Sequence, residues 1–340
     1  MHGRWIKVKF LVIGLGSMGK RRIRNLKALG FQSISGFDNR QDRREEATRK
    51  YGISVYDNIH SALCEFAPDV LVISTSPESH MQYAYLALEK SLHAFIEASV
   101  VEKEKIEHLA EQLKGRPELI IVPSATMHFS PGPSKIRELL DAHSIGKPLF
   151  LNYHTGQYLP DWHPWESVSD FYVSKRETGG AREIVPFELA WLNEIFGQPK
   201  PLFCIKKKLT DIDANIDDYY HICLSYPHDV VASITIEVIS RPFATRELRI
   251  TGLEGSLMFS ADSNSIRFSS LKQKEWMTFP LEEGTVEIEY INPEEPYIEE
   301  MRSFVKAVEK KDRSLFPNDL FTDANILDIL EQLEVISKRG

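Results

Sequence analysis

Gly14, Gly16 and Gly19, with Ser17 and Met18 between the last two, make a turn whose spacing suits a phosphate. At such a turn the first glycine permits a tight bend, the second lets the backbone approach a pyrophosphate, and the third allows close helix–strand packing. Three glycines at that spacing also arise by chance, so the flanking sequence has to make them specific. An apolar run at 6–13 precedes them, Met18, Ile23, Leu26 and Leu29 follow at helical spacing, and Asp38 stands 19 residues beyond Gly19. The orphan amides and dipole of that helix N-terminus attract an anion, and Lys20, Arg21 and Arg22 are expected to add to the field. Asp38, followed by Asn39 and Arg40, is expected to accept hydrogen bonds from a ribose, which favours NAD. Arg40, Arg43 and Arg44 lie near enough in sequence to keep NADP as the alternative.

A second group of residues could move a proton. Ile184, Glu188, Trp191 and Ile195 fall on one helical stripe, so Glu188 sits on an otherwise apolar face. A carboxylate removed from water there either rises toward the range of a general acid or base, or pairs with an arginine; Arg176 and Arg182 are the candidate partners. His163 and Tyr158 are further proton-transfer candidates. Lys175, Arg176 and Arg182 are placed to hold an anionic group on a substrate. No spacing suggests a metal site, and His108, His143 and His154 look incidental.

Alternating strands and helices must position these groups. Strands are expected at 6–13, 33–37, near Val55, 70–74, 93–97 and 119–122, with helices at 17–29, 42–51, 58–66, 78–90 and 103–114 between them. That alternation means parallel βαβ units and a doubly wound sheet. After a helix at 133–142 the pattern turns to β-branched and aromatic runs at 149–158, 202–209, 219–226, 230–239 and 246–259, the signature of a mainly antiparallel sheet. One helix at 182–196 interrupts them, and helices at 297–309 and 322–336 close the chain. The expected domains are 1–123, which binds the dinucleotide, and 124–340, which binds substrate and mediates oligomerisation.

With 41 basic against 49 acidic side chains the formal charge is −8, which argues against a nucleic-acid partner. The first 50 residues carry 13 Lys/Arg against 4 Asp/Glu, a local +9 that suggests a small anionic ligand. Three scattered cysteines, Cys64, Cys204 and Cys223, suit a reducing cytoplasmic setting, and no apolar run is long enough to span a membrane. The apolar run at 230–239, on an open sheet, leads us to expect a homo-oligomer, a dimer or tetramer.

These motifs resemble the glucose–fructose oxidoreductase/inositol dehydrogenase/MocA family. The resemblance runs over Gly14 to Gly19, Ser74-Thr75-Ser76-Pro77 with His80, the segment 87–93, and Gly179-Gly180 leading into a helix. It implies a Rossmann domain joined to an open antiparallel sheet, and hydride transfer between NAD(P) and a sugar or cyclitol carbon. The stretch 156–165 is similar to a branch associated with nucleotide-linked or sialic-acid-like sugars, with Trp162 and Trp165 as candidates to stack on the ring. The resemblance also implies that Ser74, Thr75, Ser76, Pro77, His80, Glu97 and Ala98 line the nicotinamide side, and that His128 contacts substrate. Two departures stand out. Where the family has Glu-Lys-Pro, with a lysine that takes part in proton transfer, this chain reads Glu97-Ala98-Ser99. Where the family has an aspartate and, four residues on, an acid/base histidine, this chain has Ile184 and Glu188, with Glu183 as the alternative one residue out of register. The expected function is therefore NAD(P)-dependent oxidoreduction of a sugar or sugar derivative, with Glu188 and His163 catalytic. The rival is a dinucleotide- and sugar-binding regulatory homologue without catalysis.

Overall fold

A computed structural model describes residues 8–162, 167–288 and 290–338 of the protein. The first compact unit opens with β1 (Phe10–Ile13), α1 (Ser17–Ala28), β2 (Ile34–Phe37), α2 (Gln41–Tyr51) and β3 (Ser54–Tyr56). Next come α3 (Ile59–Ser61), β4 (Val70–Ile73), α4 (His80–Lys90), β5 (His93–Ile96), α5 (Lys103–Leu113) and β6 (Ile121–Pro123). The six strands form a parallel sheet in the order β3-β2-β1-β4-β5-β6. β1 and β4 are buried along their whole length, as continuous apolar strands covered on both faces must be. The helix expected over 58–66 is shorter than its apolar pattern implied. Asn58 caps it by accepting from the His60 and Ser61 amides, and after Ser61 it widens into a π turn over Ala62–Phe66.

The second unit contains α6 (Pro131–Asp141), β7 (Pro148–Gly156), α7 (Ala181–Phe196), β8 (Lys200–Lys207), β9 (Tyr219–Tyr226) and β10 (Val230–Glu237). It continues with β11 (Thr245–Gly252), β12 (Gly255–Ser260), β13 (Ser265–Ser270) and β14 (Met277–Pro280). The strand order is β14-β13-β12-β11-β7-β10-β9-β8, antiparallel except for the β7–β10 pair. The run at 246–259 is two strands, because Leu253 and Glu254 turn it into a hairpin. β13 and β14, which carry Ser, Arg, Thr and Pro among their apolar residues, were not anticipated by pattern. α7 lies against β9 and β10 on one face of the sheet.

The chain closes with α8 (Glu295–Lys310) and α9 (Leu320–Ser337). The expected boundary at residue 123 is close to the first exit at Thr126, but the chain returns: Glu294–Ala324 belongs to the first unit, and Asn325 onward to the second. The reason is packing. Phe304 of α8 and Phe316 meet Phe95 of β5 edge-on, with ring centroids 5.5 and 6.2 Å away, and Met301, Val305 and Val308 join the same core. No helix among the described residues is long and apolar enough to cross a membrane.

Candidate functional site

The glycine turn between β1 and α1 is closed from several sides. Gly14 adopts φ +88°, where a Cβ would stand 2.5 Å from the Ser74 carbonyl oxygen, and a Cβ on Gly19 would stand 1.8 Å from the Gly14 carbonyl oxygen. Gly16 caps α1 without a side chain to hydrogen-bond the helix start, and the first turn carries no acid. Asp38, buried at the end of β2, is set by its own backbone contacts: Oδ2 accepts from the Leu15 amide at 2.7 Å and Oδ1 from the Arg40 amide at 2.8 Å. A helix N-terminus without a side-chain cap, beside a fixed carboxylate, suits the diphosphate and ribose of a dinucleotide. Arg40 turns outward to Asp42, while Arg44 Nη1 donates to the carbonyl oxygens of Asp38 and Asn39.

The three cations expected to strengthen this field are spent elsewhere. Lys20 pairs with Glu46 at 2.9 Å, Arg21 with Glu294 at 2.9 Å, and Arg22 with both Glu97 and Glu300. Arg22 is fully buried, with its guanidinium over the Phe95 ring; burial opposes its charge, but Glu300 and Glu97 keep it firmly protonated. Glu97 takes Arg22 through both oxygens, at 2.7 and 2.9 Å, and also accepts from Ser74 Oγ at 3.1 Å. It therefore ties the end of β5 to the end of β4, with Ala98 and the buried Ser99 following. Thr75 Oγ1 donates to the Ser76 carbonyl oxygen, and Ser76 caps the short 3-10 turn opened by Pro77. His80 is buried with Nε2 3.0 Å from the Thr75 carbonyl oxygen, and burial pushes its pKa below the ordinary value, so the ring is neutral.

In the second unit Glu188 is completely buried, as its apolar stripe required. Its partner is neither Arg176 nor Arg182. Arg246 of β11 donates from Nη2 to Oε1 at 2.7 Å, while Oε2 accepts from Tyr153 Oη at 2.6 Å and Trp191 Nε1 at 2.8 Å. A carboxylate so enclosed and so fully bonded ties α7 to the sheet, with both oxygens committed inside the protein. Arg182 instead pairs with Glu334 at 2.9 Å, and Arg176 approaches Asp217 at 3.4 Å. Both are engaged within the protein where an anionic substrate group was expected. Lys175 bridges to Asn215 through the backbone. His128 Nδ1 meets Glu194 at 2.7 Å, and Arg241 donates to Tyr158 Oη at 3.2 Å. Trp162 keeps its buried Nε1 without a partner among the described residues; His163 and Trp165 lie outside them.

Glu183, in the first turn of α7, behaves differently from Glu188. The residue is only partly buried, yet its carboxyl end is enclosed: Oε1 accepts from Tyr172 Oη at 2.6 Å and Oε2 has no hydrogen-bond partner among the described residues. Burial raises its pKa to about 7, against the pull of the Tyr172 hydrogen bond. Sequence spacing marked Glu183 only as the out-of-register alternative. Arg246 had a signal that went unread, since it shares the buried face of β11 with Leu248 and Ile250. A charge at an inward position calls for a buried partner.

A family model described as an oxidoreductase family with an NAD-binding Rossmann fold, GFO/IDH/MocA, matches residues 8–124, and that family's C-terminal domain matches 134–258. The chain belongs to the GFO/IDH/MocA oxidoreductase family. An inositol 2-dehydrogenase from Salmonella typhimurium is 21% identical over 169 residues, covering 48% of this chain and 50% of that protein. The chain thus spans about half the length of the curated relatives it matches. An oxidoreductase from Agrobacterium radiobacter, solved with NAD+, L-tartaric acid and magnesium, shares the family fold at TM-score 0.85 and 12% identity, over 98% of this chain and 97% of that one. Levoglucosan dehydrogenase, solved with NADH and levoglucosan, aligns at 0.83 and 15% over 98% and 97%. A UDP-N-acetylglucosamine 3-dehydrogenase from Acidithiobacillus ferrooxidans aligns at 0.74 and 16% over 98% and 99%.

Proposed function

We propose that the protein is an NAD-dependent oxidoreductase moving a hydride between nicotinamide and a hydroxyl-bearing carbon of a sugar or sugar derivative, with nucleotide-linked and sialic-acid-like sugars the first to test. The observation that carries this reading is the cradle made by Gly14, Gly19, the uncapped start of α1 and the fixed Asp38 carboxylate. When bound, NAD supplies the hydride acceptor for oxidation and the donor for reduction. The start of α1 would receive the diphosphate and Asp38 the ribose hydroxyls, with the loops at 74–77 and 97–98 on the nicotinamide side. The substrate hydroxyl must also lose or gain a proton. With Ala98 in place of a lysine and Glu188 enclosed by Arg246, we assign that proton to Glu183, whose pKa of about 7 suits either direction.

The exposed side of the second unit's sheet carries Phe150 beside Val231, with Phe203 and Ile205 on β8, which supports a homo-oligomer. Free thiols at Cys64, Cys204 and Cys223 favour a reducing cytoplasmic setting. A screen of nucleotide sugars, free sugars and cyclitols for NAD(H)-dependent absorbance change tests the reading, and an absence of dinucleotide affinity at millimolar concentration overturns it. The regulatory reading draws on the Glu188–Arg246 pair and on Ala98. Glu183→Gln separates the two: an enzyme loses about 10²-fold or more in kcat while keeping NADH affinity, whereas a regulator has no turnover to lose.

A further inference from the structure

An enclosed carboxyl group is poorly placed to touch a substrate. Glu183 Oε2 is buried without a partner among the described residues, and Oε1 is occupied by Tyr172 Oη at 2.6 Å. Tyr172 itself is partly exposed, so its phenol joins the enclosed carboxyl to the outside. The segment before α7 fixes that phenol in place. The Tyr172 carbonyl oxygen accepts from Thr178 Oγ1 at 2.8 Å and from the Lys175 amide at 3.2 Å, with Thr178 fully buried. Gly179 packs so closely that a Cβ there would stand 1.9 Å from the Val173 carbonyl oxygen. The loop is thereby closed on itself and lays Tyr172 against the first turn of α7.

A hydroxyl that donates one hydrogen bond can also accept, and a short bond to a carboxylate is a path for a proton. We propose that Tyr172 is the catalytic residue that meets the substrate hydroxyl and relays its proton to Glu183. In oxidation the sugar O–H bond breaks as a new O–H bond forms on Tyr172, while the phenol's own proton crosses to Glu183 Oε1. The sugar carbon gives up its hydride to NAD, the oxidant of the proposed reaction, and becomes a carbonyl carbon; reduction runs the same transfers backward. Tyr172 is a neutral phenol before and after, so no phenolate has to persist near neutral pH, far below the ordinary phenol pKa of about 10. The proposal rests on the reading that Glu183 holds the proton, and it adds the group through which that proton arrives.

The test compares Tyr172→Phe, Glu183→Gln and the double variant with wild type, using the compound that turns over fastest in the screen above and a thermal melt of each protein as the check on folding. Tyr172→Phe keeps the ring and removes one hydroxyl. It is expected to lose about 10²-fold in kcat at the optimum of its own pH profile, with NADH affinity by nicotinamide fluorescence within about threefold of wild type. The double variant is expected to be no slower than Glu183→Gln, because the two residues act as one relay. A phenol that only props the carboxyl predicts otherwise. Its hydrogen bond favours the ionised form of Glu183, so its loss would move the oxidation profile to higher pH and leave the plateau kcat intact, and that outcome overturns the proposal. So do losses that multiply in the double variant. Glu183→Gln at wild-type speed, or no turnover of any compound in the screen, would instead bring down the assignment of Glu183 and this inference with it.

Discussion

Glu188 and Glu183 sit on the same helix and face opposite electrostatic fates. Glu188 pairs with Arg246 and accepts from Tyr153 and Trp191, so removing its charge strands a mostly buried arginine. Glu188→Ala is expected to lose about 3 kcal/mol in chemical denaturation, and Glu188→Met with Arg246→Met to recover much of it. A variant of undiminished stability that had lost turnover would return Glu188 to catalysis. Glu183 and Asp323 have no such partner among the described residues, and burial raises both to about 7, from ordinary values of 4.5 and 3.8. Between those limits the folded protein binds more protons than the unfolded chain, so the two carboxyls erode stability as pH climbs from about 4 to about 7, with no further loss above. Thermal unfolding should show Glu183→Gln with Asp323→Asn gaining on wild type across that window; a gap independent of pH would contradict the raised values.

Arg22 of α1 connects two halves of one element arrangement. It donates to Glu97 at the end of β5 and to Glu300 of α8, and Glu300 in turn accepts from Ser124 Oγ, the Ala125 amide and Thr126 Oγ1. The helix that starts at the glycine turn is thereby locked to the returning C-terminal segment. Arg22→Ala leaves Glu300 and Glu97 short of their counter-ion, and a loss of about 3–5 kcal/mol is expected by denaturation, with NADH affinity falling alongside because the β4 and β5 ends share the network. A stable variant with intact affinity would show the lock to be dispensable. Within the +9 of the first 50 residues, Arg21, Arg22 and Arg24 are thus answered by Glu294 and Glu300, some 270 residues away, so less of that charge faces a ligand than charge counting suggested.

For the whole molecule the open sheet sets the expected assembly. Val231 is 44% exposed and pairs with the 37% exposed Phe150 on the neighbouring strand, next to a concave surface of about 510 Å³ lined by Asn152, His154, Glu247 and Arg249. A second copy covering this face would bury both residues, so Phe150→Asp with Val231→Asp should shift light-scattering mass toward the monomer. A wild-type monomer at micromolar concentration would contradict the proposed homo-oligomer.

What the chain announces by itself is local. The glycine turn, Asp38, the alternating βα pattern, the late turn to β runs and the burial of Glu188 each depend on residues within about one element of one another, where periodicity and turn chemistry act directly. What only the tertiary structure decided are partners distant in sequence. Arg246 rather than Arg182 answers Glu188, Glu294 and Glu300 take Arg21 and Arg22, two of the cations expected to draw a phosphate, and Glu294–Ala324 returns to the first unit. Burying a charge is costly enough that a partner must exist, so the need can be read from the stripe on which the residue sits. Which partner meets it depends on how the strands and helices stack, and no spacing along the chain encodes that choice.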